Sequence, residues 1–296
     1  MIEAFLQYLK HEKRYSPKTV ESYQRDLLQF FLFIQSQYEQ DDLAAVRHPQ
    51  IRAWVVELVS SGQQPASVKR KISALKSFYK YSLKKGLVSS NPADKITTPK
   101  IPERLPKFVE QARLQDLFDA PEKYFEDTFT GLQDRLVMDV LYSCGLRRQE
   151  LIDLRWEDVN FGVPHIKVTG KGNKQRLVPV AGSLAAALSD FRQQQQRHFQ
   201  DKKIAPFVFL TKDGHQLYPH YVYKLVNKYI SLCSTVKKKS PHVLRHSFAT
   251  HMSNNGAKLS DIKELLGHAS LASTQVYTHN SIEQLKEIYK IAHPKA

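Results

Sequence analysis

Four prolines, Pro92, Pro99, Pro102 and Pro106, fall close together and divide the chain into parts with different hydrophobic patterns. Proline supplies no amide donor and biases the residue before it toward extended backbone, so neither a helix nor a central strand runs through such a stretch. It reads as an extended linker, 92–106, between a domain at 1–91 and a second at 107–296. With 296 residues in all, each part is long enough to bury a core of its own.

Before the linker, apolar residues recur at helical spacing. Ile2, Phe5, Leu6 and Leu9 mark a first helix. Ser16-Pro17 is an N-cap with proline at the first helical position, and Val20, Tyr23, Leu27, Phe30, Phe31 and Ile34 then form one stripe. Ile51, Trp54, Val55, Leu58 and Val59 make a third helix closed by Ser61-Gly62, and Val68, Ile72, Leu75, Phe78 and Tyr79 a fourth, begun at Pro65 and ended at Gly86. Four amphipathic helices with short loops predict a small bundle.

The fourth helix carries Lys69, Arg70, Lys71, Lys76, Lys80, Lys84 and Lys85 and no acidic residue. Like charges at helical neighbour spacing repel unless an anion relieves them, which points to a phosphate-contacting face with Lys69, Arg70, Lys71, Lys76 and Lys80 at its centre. The whole chain has 44 basic and 29 acidic side chains, a net charge of +15, with an excess on both sides of residue 100. A polyanion partner fits that excess, although charge alone does not separate DNA from RNA or an anionic membrane face. Two cysteines far apart, Cys144 and Cys233, exclude a disulfide framework and a cysteine zinc module. No apolar run is long enough to span a membrane, and Met1-Ile2-Glu3-Ala4-Phe5 lacks the features of a signal peptide. The expectation is a reduced, cytoplasmic protein without a membrane partner.

After the linker the pattern is mixed. Leu132 to Ser143 reads as a helix stopped at Cys144-Gly145, and 165–169 with 175–180 as a β-hairpin around Gly170-Lys171-Gly172-Asn173-Lys174. Helices are expected near 183–199, 219–234, 242–254, 260–266 and 282–291, with a short strand at Phe207 to Leu210. The fold class expected is mainly α: a four-helix domain followed by an α-rich domain holding a small antiparallel sheet.

Four clusters in the second domain are basic or nucleophilic. Taken singly, each has an ordinary structural explanation. In Gly145-Leu146-Arg147-Arg148-Gln149-Glu150, an arginine just past a helix commonly caps its last carbonyls. Lys171, between two glycines, sits at an exposed hairpin tip, and the surroundings lack a phosphate-binding Gly-Lys-Ser/Thr. His242 and Arg245, three apart, project from one face of a helix start. His242 and His246 have helical spacing for a metal, but no acidic or cysteine ligand adjoins them, so no metal site is expected. The last cluster is Leu266-Gly267-His268 followed by Tyr277.

Together, Arg147, Lys171, His242, Arg245, His268 and Tyr277 resemble the active site of the tyrosine recombinases in order and in spacing. The intervals are 24 from Arg147 to Lys171, 3 from His242 to Arg245, 23 on to His268 and 9 on to Tyr277. The segments GLRRQEL, GKGNKQRLVPV, HVLRHSFATH and ELLGH with QVYTH carry the resemblance. The helical first domain is similar to the family's core-binding domain, and the overall length to its short Xer-type members.

The resemblance implies a site-specific DNA recombinase acting on a double-stranded recombination site. Tyr277 is the implied nucleophile, forming a 3′-phosphotyrosyl bond, and Lys171 the implied general acid for the leaving 5′-oxygen. Arginine forks two donors onto phosphate oxygens, so Arg147 and Arg245 suit a phosphate clamp with His268 as a further donor. A tyrosine is only about one part in 1,000 phenolate at pH 7, so nearby cations and a proton acceptor such as His242 are needed. Glu150 supports the local charge. No metal, ATP or other cofactor is implied. The resemblance also implies a Holliday-junction intermediate within a homotetramer, or a heterotetramer with a paralogous recombinase. The last helix, with Ile282, Leu285, Ile288 and Ile291 along its apolar edge, resembles the family's exchanged tail. Chromosome or plasmid dimer resolution, in a nucleoid-associated cytoplasmic protein, is the role expected. Mobile-element integration, DNA inversion, a type IB topoisomerase activity and non-catalytic DNA binding are the alternatives.

Overall fold

Two compact units, Met1–Arg104 and Leu105–Ala296, make up the chain in the computed structural model, which describes residues 1–99, 108–170, 174–200, 202–267 and 279–295. In the first unit, α1 (Ile2–Gln7) continues as a wider π-helical turn over Tyr8–Glu12, followed by α2 (Pro17–Tyr38), α3 (His48–Ser60) and α4 (Pro65–Lys84). Proline opens α2, α3 and α4, where its missing amide hydrogen is no loss. The Ser16 hydroxyl accepts from the Thr19 amide at 3.3 Å and caps α2. The apolar stripes meet around Phe5, Leu27, Phe30, Trp54, Ile72 and Phe78, all buried. The buried Tyr79 hydroxyl donates to the Leu43 carbonyl at 3.0 Å, which satisfies its one polar atom.

The first part of the expected linker belongs to this bundle. Ala93 and Ile96 are buried in its core, and His48 Nδ1 lies 3.1 Å from the Pro92 carbonyl. The start of the expected linker is not extended: turns over 92–95, with the Asp94 amide donating to Asn91 O and the Ile96 amide to Ala93 O, both at 3.2 Å, bring two apolar side chains into the bundle core.

The second unit contains α5 (Gln111–Asp119), α6 (Phe129–Ser143), α7 (Arg148–Ile152), α8 (Gly182–His198), α9 (Pro219–Cys233), α10 (Pro241–Asn254), α11 (Leu259–Leu266) and α12 (His279–Ala292). Strands β1 (Val159–Asn160), β2 (His165–Thr169) and β3 (Gln175–Pro179) form an antiparallel sheet in that order, with Val168 opposite Arg176. The nearly all-buried α6 is the spine of this unit.

Three expectations need correction. The segment Phe207 to Leu210 is not a strand of the sheet. It makes only isolated bridges, Arg155 with Phe207 and Leu210 with Gln216; the Val208 amide donates to Leu154 O, while the side-chain amides of Gln133 of α6 and Gln195 of α8 bond Leu210 and the Val208 carbonyl. An apolar run buried on all sides looks like a strand in sequence even when side chains supply its hydrogen bonds. The helix α5, with Leu114, Leu117 and Phe118 inward, was not expected. The third concerns the apolar edge of the last helix: Leu285, Tyr289 and Ala292 are buried and Ile288 partly so, whereas Ile291 is 77% exposed and lies off that edge.

Candidate active site

The site is built around the C-terminal end of α11. Three consecutive carbonyls there, the groups a helix end leaves without internal partners, each receive one arginine. Arg176 Nε donates to Leu265 O at 2.8 Å, Arg245 Nη2 to Leu266 O at 2.6 Å and Arg147 Nη2 to Gly267 O at 3.3 Å. The three arginines come from β3, from α10 and from the residue that precedes α7. Gly267 closes α11 in the left-handed conformation at φ +64°, which favours glycine.

Glu150 lies between the same arginines. Its Oε1 accepts from Arg147 Nη1 at 2.7 Å and Arg176 Nη1 at 2.9 Å; its Oε2 accepts from the Arg147 amide and from Arg176 Nη2, both at 2.8 Å. Arg245 Nη1 is 3.8 Å from Oε2, within ion-pair range, and donates instead to Gly145 O at 2.6 Å. Burial would raise the Glu150 pKa, but the hydrogen bonds and charge of Arg176, followed by those of Arg147, outweigh it and hold the carboxyl at about 2. It stays ionised. Burial and the charges of Arg147 and Arg176 bring Arg245 down to about 9, opposed by Glu150, so this guanidinium is cationic at neutral pH.

The sequence alone suggests that Arg147 caps the helix before it. The structure assigns it otherwise: Arg147 begins the next helix, and Glu150 reaches back to its amide, while Arg245 takes the carbonyl near the end of α6. Gly145, at φ +57°, makes that approach possible; a Cβ there would lie 2.8 Å from Leu266 Cδ2 and 2.9 Å from Phe248 Cδ1.

His242 stands at the exposed start of α10, one turn before Arg245. Partial desolvation, then the charges of His246, Arg148 and Arg245, hold its pKa below the ordinary histidine value. It is therefore a neutral base near pH 7. Lys171, His268 and Tyr277 lie outside the described residues. The residues just before two of them are described: Gly170, before Lys171, adjoins the site, with Glu150 Oε1 3.6 Å from where its Cβ would stand, and the carbonyl of Gly267, before His268, holds Arg147. Arg176 is the residue that sequence reading missed. A buried arginine on an outward-reading hairpin strand has no pattern to betray it, except that Val168 opposite it is buried and a basic residue there needs a partner.

In the first unit the six cations of α4 and Lys85 just past its end do not all face solvent. Lys71 is buried, pairing with Asp26 of α2 at 3.2 Å and hydrogen-bonding Gln29, and so is not a phosphate contact. Arg70 also pairs with Asp26 and donates to the Ser22 hydroxyl at 2.9 Å. The anion that relieves these charges is supplied by a different helix, which a reading of α4 alone could not show. Lys69, Lys76 and Lys80, at positions i, i+7 and i+11, share one face. Lys76 donates to Asp94 O at 2.9 Å; Lys69 and Lys80 are exposed without an ion pair among the described residues.

Residues 107–284 match the phage integrase family, and residues 2–86 the phage integrase N-terminal SAM-like domain. The chain belongs to the phage integrase family. Within this family, proteins named tyrosine recombinase XerC are similar to it over their length. That of Chlorobaculum parvum is 39% identical over 100% of this chain and 94% of its own. That of Pelotomaculum thermopropionicum is 37% identical over 100% and 98%. Among solved structures, XerH site-specific recombinase bound to difH substrate in a pre-cleavage complex superposes with a TM-score of 0.69, and its post-cleavage complex on palindromic difH with 0.73. Both are 21% identical, cover 98% of this chain and 82% and 84% of theirs, and so show a shared fold. As a tyrosine recombinase of the phage integrase family, this chain is an enzyme of a class that breaks and rejoins DNA strands. Among the described residues, no helix is long and apolar enough to cross a membrane.

Proposed function

We propose that the chain is a site-specific DNA recombinase of the XerC kind, acting in the resolution of chromosome or plasmid dimers. One observation carries this reading: two arginines from distant parts of the sequence, Arg147 and Arg245, are anchored on successive carbonyls directly before His268. Anchored guanidiniums with remaining N–H groups form a rigid electropositive seat for a phosphodiester. Charge builds on the non-bridging oxygens as the phosphorus is attacked, and donors already in place need no reorganisation to meet it.

In the proposed reaction, Tyr277 Oη forms a bond to phosphorus and the 5′-oxygen of the next nucleotide departs. His242 accepts the phenol proton and Lys171 supplies one to the leaving oxygen. The resulting 3′-phosphotyrosyl ester retains the diester linkage, so a 5′-hydroxyl from a partner duplex can reverse the step without ATP or any cofactor. Glu150 transfers no proton; its low pKa suits it to holding the arginines. Exchange between duplexes proceeds through a Holliday junction in a tetramer of this chain or of this chain with a paralogous recombinase, on DNA in the nucleoid-associated cytoplasm. The exposed Lys69 and Lys80 face of α4, with Lys76 and the outer part of Arg70, contacts DNA phosphates, matching the net charge of +15.

The experiment is covalent trapping on a nicked recombination-site duplex that loses its 5′-terminal fragment after cleavage. A protein–DNA adduct is expected with the natural sequence and none with Tyr277→Phe. An adduct that persists in Tyr277→Phe refutes the assignment.

A further inference from the structure

We propose that Arg176 is a positioning residue for strand cleavage, because it occupies the acceptor sites of Glu150 that would otherwise capture Arg245. The inference rests on the recombinase reading above and concerns a residue to which that reading gives no role.

An ionised carboxylate has about four lone-pair sites. Glu150 has four donors on them: Arg147 Nη1, the Arg147 amide, and both terminal nitrogens of Arg176. The carboxylate is therefore saturated, and Arg245, 3.8 Å away, is attracted without being hydrogen-bonded to it. Two carbonyls hold Arg245 instead, Gly145 O and Leu266 O, each at 2.6 Å. Arg147 and Arg176 share the single charge of Glu150, which leaves the site net positive, and Arg245, held by neutral carbonyls, keeps its donors oriented by them and its charge for a phosphate.

The remaining Arg176 contact points the same way. Its Nε donates to Leu265 O, and its side chain lies against Gly267, where a Cβ would be 2.9 Å from Arg176 Cδ. One planar side chain on β3 thus fixes both the carboxylate and the helix end on which Arg147 and Arg245 are anchored. Lysine, with a single nitrogen, cannot fill the two Glu150 sites and the carbonyl together. Arg176 is 5% exposed and lies behind these groups, so it acts through Glu150 without touching substrate.

The test uses the full chain with Arg176→Met, Arg176→Lys, Glu150→Gln and the Arg176→Met/Glu150→Gln double variant. The first-order rate of Tyr277 adduct formation is measured at saturating DNA, with DNA affinity and urea stability read alongside. Adduct formation by the unaltered protein and its absence in Tyr277→Phe establish the recombinase reading separately. Loss of Arg176 is expected to slow cleavage by about 10- to 100-fold while DNA affinity stays nearly unchanged. Adding Glu150→Gln to Arg176→Met removes the capturing charge, so the double variant should cleave at least as fast as Arg176→Met alone. A double variant slowed by the product of the two single losses overturns the proposal. If Arg176→Met does not fold, Arg176→Lys decides alone: full cleavage speed in that variant overturns the inference, and slowed cleavage with retained affinity supports it.

Discussion

Arg147 Nη2 reaches the carbonyl of Gly267, 120 residues later in the chain and directly before His268, at 3.3 Å. The arginine that precedes α7 is thereby tied to the segment leading to His268 and Tyr277. Arg245 makes the parallel tie to Leu266. Whatever arrangement the residues after Gly267 adopt, their starting point is fixed to the arginines.

Arg245 therefore has two duties, anchoring and charge, and Arg245→Lys separates them. The lysine keeps a positive charge but cannot donate to Gly145 O and Leu266 O and still present a fork to phosphate. Cleavage is expected to fall by about 100- to 1,000-fold, the size seen when one transition-state donor is lost. Leaving one buried carbonyl without a donor should also lower stability by about 1–3 kcal/mol. Adduct kinetics on the nicked duplex and urea unfolding check the two parts. Cleavage at the unaltered rate would remove Arg245 from the proposed clamp.

Gly145→Ala probes the same anchor from the other side. The residue sits at φ +57°, and its new methyl would press on Leu266 Cδ2 and Phe248 Cδ1. The strained backbone and the crowding should cost about 2–4 kcal/mol in urea unfolding. Because the carbonyl of Gly145 holds Arg245, cleavage should slow as well, even at temperatures where the protein remains folded.

The elements of both units, and hence much of the site, were legible because helix starts carry strong local signals. Ser16-Pro17, Pro65, Pro219 and Pro241 each open a helix, and α2 to α4 follow their apolar stripes closely. The resemblance singled out Arg147, Glu150 and Arg245, and the structure brings their side chains together. What was not legible is pairing across elements. Asp26 relieving Lys71, Arg176 locking Glu150, and Gln133 and Gln195 satisfying the 207–210 segment are each contacts between residues far apart in sequence. Charge patterns read along one helix cannot show an anion that a second helix brings to it.

That distinction predicts opposite behaviour for neighbouring lysines. Lys71→Met should destabilise the first unit by about 1–3 kcal/mol, since Asp26 keeps only Arg70 as a cationic partner. Lys69→Ala and Lys80→Ala should leave stability unchanged and reduce the slope of log K against log salt by about 1 each. Urea unfolding and DNA binding titrated across salt concentrations measure both. A loss of salt slope in Lys71→Met equal to that in Lys69→Ala would place Lys71 back at the DNA surface.

Acid should act on the second unit through Glu150. Its carboxyl is held at about 2 in the folded protein, against about 4.3 for an ordinary glutamate. A depressed folded pKa contributes stability that is fully present above the unfolded value and lost as pH falls through the folded one. The window is therefore roughly pH 4.5 down to 2, with a contribution on the order of 3 kcal/mol. Glu150→Gln should remove that slope, and its stability should vary less with pH than that of the natural sequence over this window. Equal slopes for the two proteins would mean that Glu150 is not held ionised by Arg176 and Arg147.

Catalysis should respond at a higher pH, through His242. Partial desolvation and the surrounding cations keep its pKa below the ordinary value near 6.5, so the imidazole is neutral and able to accept a proton at pH 7. The rate of adduct formation should be insensitive to pH just above neutrality and decline on the acid side as His242 gains its proton. Replacing it by His242→Gln keeps a polar side chain of similar reach but removes the titration, so the acid limb should disappear along with much of the rate. The comparison must be made above pH 5, where Glu150 remains ionised, and with the folded fraction followed alongside, because burial holds His293 at about 3 and the second unit therefore loses stability as pH falls below about 6.5. If the acid limb survives unchanged in His242→Gln, the proton from Tyr277 goes elsewhere.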